Sequence, residues 1–155
     1  MAPLLLLALL PALQARAVEI PVRKPGLWEV SMNREKAPAH VSRLCIDAAT
    51  EVRTRKMGQA DTAGLCSRHE VSRSGNIVTT DSVCRIGSSQ VTTHAVTTFN
   101  GDDAYSTVVA SHFDPPTRTG LADSSMTQEA KWLGPCGPDM QPGDMVIDGN
   151  KMRIP

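Results

Sequence analysis

The stretch Leu65-Cys66-Ser67-Arg68-His69-Glu70-Val71-Ser72-Arg73-Ser74-Gly75-Asn76-Ile77-Val78-Thr79-Thr80-Asp81-Ser82-Val83-Cys84 carries two cysteines placed symmetrically about a glycine turn. Two β-compatible runs, residues 65–73 and 76–84, flank Ser74-Gly75-Asn76. A glycine between such runs is a hairpin signal, because glycine enters turn conformations that other residues resist. Directly opposed hairpin residues share a constant index sum, and Cys66 and Cys84 are equidistant from Gly75. A three-residue turn centred on Gly75 therefore places the two cysteines opposite each other.

The remaining cysteines, Cys45 and Cys136, then pair with each other. Cys45–Cys66 with Cys84–Cys136 is the competing arrangement, since four cysteines allow three connectivities. The spacings contain no Cys-x-x-Cys. A thioredoxin-type redox pair or a zinc ribbon needs that proximity, so disulfides are the expected chemistry.

Working outward, the chain continues as β structure. Residues 90–99 are rich in valine and threonine, and Asn100-Gly101-Asp102-Asp103 is a turn signal leading into residues 104–113. A Pro/Gly loop spans 114–123, and residues 124–133 alternate with Met126, Gln128, Ala130 and Trp132 on one face. Upstream, residues 26–33 alternate with Trp28, Val30 and Met32 inward. Residues 36–40 read as a turn, 41–46 as a short strand, and 151–154 as a last one. Asp47 caps a single short helix expected to run to about Met57 and to stop at Gly58. The fold expected is mainly β: a curved antiparallel meander or partly closed barrel with one short helix, stapled by disulfides.

The chain opens with the apolar run Leu4 to Leu10, too short to span a bilayer, followed by Ala15-Arg16-Ala17. That pattern reads as a signal peptide over residues 1–17, leaving one secreted β domain over 18–155. No lysine or arginine precedes the run. Export to the periplasm or beyond agrees with cysteine usage. The chain has 16 basic and 16 acidic residues, and losing Arg16 leaves a net charge near −1. A nearly neutral surface is a poor match for nucleic acid. Later runs are too short for a membrane span. Aromatic residues make up only 3% of the chain, so disulfides supplement a thin core.

Candidate sites are few. His94 and His112 lie on strands joined by one turn, and plausible registers put His112 two to five residues beyond the position facing His94. That is roughly 7 Å or more along the strand, so shared metal coordination is not expected. Met126, Met140, Met145 and Met152 lack a Met-x-x-Met run and read as core filling. Asp102-Asp103 fits a turn, and Asp144 with Asp148 lacks the calcium-loop pattern. Ser88-Ser89 is a turn, and no Gly-x-Ser-x-Gly elbow or nucleophile–base pair is visible. Trp28 and Trp132 are the ligand-binding candidates, as walls of a cleft between strands. No cofactor, no metal and no catalytic residue is expected.

Pro25-Gly26-Leu27-Trp28-Glu29-Val30, Cys45-Ile46-Asp47, Asp81-Ser82-Val83-Cys84, Ala130-Lys131-Trp132-Leu133-Gly134-Pro135-Cys136 and Gln141-Pro142-Gly143-Asp144-Met145 together resemble domain-of-unknown-function family 3617. The resemblance covers nearly all of the chain after residue 17. It implies an exported, largely β protein of Gram-negative bacteria, with no established activity and no catalytic residues to carry over. The expected function is a non-catalytic binding module for a small apolar or lipid-like ligand. The alternative is an envelope protein-interaction module acting through an edge strand or the Pro/Gly-rich tail. An apolar cavity near Trp28 or Trp132 marks the first, and an exposed apolar patch or unpaired edge marks the second.

Overall fold

The computed structural model describes residues 18–35, 37–62 and 64–154. The leader expected over residues 1–17 and Lys36 of the expected 36–40 turn lie outside them. The described chain forms β1 (Gly26–Arg34), β2 (His40–Ile46), α1 (Ala48–Thr62), β3 (Cys66–Ser74), β4 (Ile77–Ile86), β5 (Ser89–Asn100), β6 (Ala104–Asp114), β7 (Asp123–Gly134), β8 (Asp144–Ile147) and β9 (Asn150–Arg153).

All strand pairs are antiparallel, in one open nine-stranded sheet of order β3-β4-β5-β6-β7-β1-β2-β8-β9. Five consecutive strands, β3 to β7, make the expected meander. The β1–β2 hairpin then inserts between β7 and β8, so the sheet is not a simple sequential meander. The β8–β9 hairpin was only half expected. Its first strand, Asp144–Ile147, is four residues long and set among glycine and proline, which hides its alternation.

The β3–β4 hairpin reaches the expected pairing by a different register. Ser74 faces Ile77, so the turn is the two-residue Gly75-Asn76, with Gly75 at φ 60°. Glycine at the first of two turn positions suits the type II′ hairpin. Carried on unchanged, that register would set Cys66 against Arg85. A bulge between Cys66 and Arg68 absorbs one residue and returns Cys66 to Cys84. The disulfides are Cys66–Cys84 and Cys45–Cys136. The second ties the wholly buried Cys45 of β2 to the segment after β7.

Asp47 caps α1 as expected: its Oδ1 accepts from the Thr50 amide at 2.7 Å. The helix runs to Thr62 rather than stopping at Gly58. One interior glycine costs only about 1 kcal/mol relative to alanine, which does not break a hydrogen-bonded ladder. Arg53, Arg55 and Lys56 therefore lie mid-helix.

The core sits where β7, β1 and β2 adjoin. Trp28, Val30, Leu44, Ile46 and Ala130 are buried, with Met32, Tyr105, Trp132 and Met145 packed against them. The β1 alternation explains this directly, since Trp28 and Val30 share one face. Gly26 is required by close approach: a Cβ there would lie 2.3 Å from Trp132 Nε1 and 2.4 Å from the Gly134 oxygen.

Candidate functional site

The strand registers assemble one continuous inner face, the one carrying Trp28. Val71, Thr80, Ala95, Val109 and Met126 form one row across β3 to β7. Val78, Thr97, Thr107, Gln128 and Met32 form the next. The hydroxyls here satisfy one another: Thr97 Oγ1 lies 2.9 Å from Thr107 Oγ1, and Thr93 Oγ1 lies 3.1 Å from Ser111 Oγ. Gln128 Nε2 donates to the Tyr105 hydroxyl at 3.3 Å. Self-paired hydroxyls leave the face less thirsty for water than its threonine content suggests.

Residues 18–25 cross this face as an irregular strap held by side chains. Arg73 Nη1 donates to the Glu19 carbonyl at 2.8 Å. Arg55 of α1 donates to the Ile20 carbonyl at 3.2 Å and also to that of Pro21. Glu51, only 3% exposed, is the hub. It accepts from Arg23 Nε and Nη2 at 2.9 and 2.6 Å and from Arg55 Nε at 2.9 Å. Burial pushes the Glu51 carboxyl up, but the hydrogen bonds and charges of Arg23 and Arg55 outweigh it and hold the pKa below 4.5.

Between strap, helix and sheet lies a groove of about 460 Å³. Ile20, Pro21, Val71, Phe99 and Tyr105 give it apolar walls, and Thr97, Thr107 and Gln128 contribute polar ones. Its size falls within the usual range of small-molecule sites, about 300–1,000 Å³. Of the groove's own lining, Arg23 and Arg55 exceed Glu51 by one positive charge.

The two tryptophans expected to hold a ligand lie elsewhere. Trp28 is 1% exposed, its Nε1 donates to the Lys24 carbonyl at 2.9 Å, and its ring centre is 6.0 Å from that of Tyr105. The hollow it lines measures about 10 Å³, room for a single water at most. Trp132 donates from Nε1 to the Pro25 carbonyl at 3.0 Å, with Lys24 Nζ 3.9 Å above its ring. Neither lines the groove. The residues that do were missed in the sequence because Val/Thr-rich alternation marks a strand without showing what covers its face. The available signal was Phe99 and Tyr105, paired aromatics flanking the turn after Asn100.

A larger hollow of about 590 Å³ lies against the opposite, outer face, lined by Glu29, Glu129 and Lys131. Glu29 there lies 3.2 Å from Arg43 and 4.0 Å from Lys131. Phe99, Ala104, Tyr105 and Ala130 add apolar surface to it. The acidic pairs are likewise engaged: Lys24 bridges Asp102 and Asp103, and Asp144 meets Lys151 at 2.8 Å.

Among the described residues, no helix is long and apolar enough to cross a membrane. No curated protein and no solved structure matches the chain. A family model does, over residues 23–136, which takes in β1 to β7, the helix, all four cysteines and only the last three residues of the strap. The chain belongs to the DUF3617 family of proteins of unknown function.

Proposed function

We propose that this protein is a non-catalytic binding module of the periplasm or extracellular space, which takes a small apolar or lipid-like ligand into the strapped groove. The observation that carries the reading is the groove itself: a sheet face of self-satisfied hydroxyls and apolar side chains, roofed at one end by a segment that side chains alone hold down. The leftover arginine charge beside it suits a ligand with an acidic head. Two disulfides support a location outside the cytoplasm.

The interaction-module alternative is weaker. The β3 edge is unpaired, but it presents Arg68, Glu70 and Arg73, and charged edges discourage strand addition. The Pro/Gly tail is tied down, since Gly143 donates to the Cys45 carbonyl at 2.8 Å and β8 pairs with β2.

The test is a fluorescence titration with N-phenyl-1-naphthylamine, followed by displacement with dodecanoate. Saturable binding should be lost in Val71→Trp and Thr97→Phe, which fill the groove. Unchanged binding in both folded variants would refute the site.

A further inference from the structure

The outer face carries two histidine–aspartate contacts that the groove does not use. Asp81 on β4 faces His94 on β5, and Asp123 on β7 faces His112 on β6. His94 Nδ1 is 2.7 Å from Asp81 Oδ1, and His112 Nδ1 is 2.8 Å from Asp123 Oδ1. An ionised carboxylate only accepts hydrogen bonds, so each Nδ1 must carry the proton. In the neutral ring Nε2 is then a bare lone pair.

The arrangement is mirrored about the seam between β5 and β6. Both aspartates stand on the outlying strands and draw Nδ1 away from the seam. Nε2 lies across the ring from Nδ1, so in each case it is not the nitrogen that the aspartate holds. His94 faces Ala110, and His112 faces Thr92, so the histidines occupy one diagonal of a four-residue square with small residues on the other. The offset is thus two residues, the smallest of the range the sequence allowed; shared coordination was set aside there on that backbone separation alone, without the reach of the two side chains. Diagonal neighbours are about 7–8 Å apart at the backbone. Two imidazole side chains and two metal–nitrogen bonds of about 2.0–2.1 Å span that separation. A hollow of about 360 Å³, lined by both rings, Thr92, Ala110 and Asp123, lies over the square.

We propose that His94 and His112 form a site for a divalent first-row metal of the zinc type, bound through both Nε2 atoms with water completing the coordination. Imidazole donors select this class over calcium or magnesium. Carboxylates on the far ring nitrogens are the usual outer partners of metal-binding histidines, fixing tautomer and orientation. Their two negative charges balance a divalent ion. Among the described residues, no group of three or more His, Cys, Asp or Glu side chains is placed to hold a metal. The protein therefore supplies two ligands, and binding is weaker than at a four-ligand structural site. The site is independent of the groove.

The test is calorimetric titration of untagged, chelator-treated protein with Zn²⁺ at neutral pH, paired with long-range ¹H–¹⁵N spectra of the histidine rings. One equivalent should bind, with Nε2 of His94 and His112 shifting and His40 and His69 unmoved. His94→Ala and His112→Ala should each weaken binding at least tenfold. Asp81→Asn should weaken it by about 10–100-fold and alter the His94 tautomer signal. Both rings are more than half exposed, so these variants leave the core intact. No binding, equal binding of Ca²⁺, or full Zn²⁺ binding by the folded double histidine variant would overturn the proposal.

Discussion

Replacing Glu51 with glutamine keeps the shape of the strap's hub and removes its charge. Three arginine hydrogen bonds, two from Arg23 and one from Arg55, lose their ionised acceptor. Removing one member of a fully buried ion pair costs about 3–5 kcal/mol. Here the arginine side chains keep 14% and 33% of their exposure, and water recovers part of that loss. A cost of about 2–3 kcal/mol is expected, or roughly 7–10 °C in Tm for a domain of this size. Urea titrations followed by circular dichroism, repeated across pH, provide the assay. Because the folded-state pKa of Glu51 is depressed, its stabilisation is complete above the unfolded value near 4.5 and is lost as pH falls through the folded value. The gap between wild type and Glu51→Gln should therefore be widest at neutral pH and shrink in acid. A gap below about 0.5 kcal/mol at pH 7, within the range of ordinary surface substitutions, would refute the clasp, as would one that does not change with pH.

Other perturbations separate the remaining elements. The Cys45–Cys136 bond closes a span of 91 residues and Cys66–Cys84 a span of 18. Loop entropy alone gives about 4.6 and 3.2 kcal/mol, so Cys45→Ala/Cys136→Ala should lower stability in urea more than Cys66→Ala/Cys84→Ala. The reverse order would show that the short hairpin staple outranks the long one. Gly26→Ala should cost at least about 2 kcal/mol, because φ there is 135° and its Cβ would meet Trp132 and the Gly134 carbonyl. A change of Tm within error would mean that β1 shifts freely at its start.

The sequence reveals what is local and hides what depends on distant neighbours. Gly75-Asn76, Asn100-Gly101 and the Val/Thr alternation announce β3 to β7, because hairpin chemistry lies within a few residues of the turn. The Cys66–Cys84 pairing follows from the index arithmetic only because the bulge near Ser67 offsets a turn one residue shorter than assumed. Gly58 reads as a helix stop, yet its modest cost does not end α1. The place of β1–β2 beside β7 rests on Trp28 and Trp132 meeting across strands more than a hundred positions apart. No local pattern encodes that. The groove was illegible for a related reason. Thr97 and Thr107 look like ordinary strand residues until the register sets their hydroxyls against each other.

Native mass spectrometry of the protein isolated under native conditions from cells that make it tests the central claim most directly. The account predicts a folded chain that carries an additional mass, loses it on unfolding, and no longer carries it in Val71→Trp. A bare-chain mass in both proteins, both folded and both with two disulfides, would contradict it.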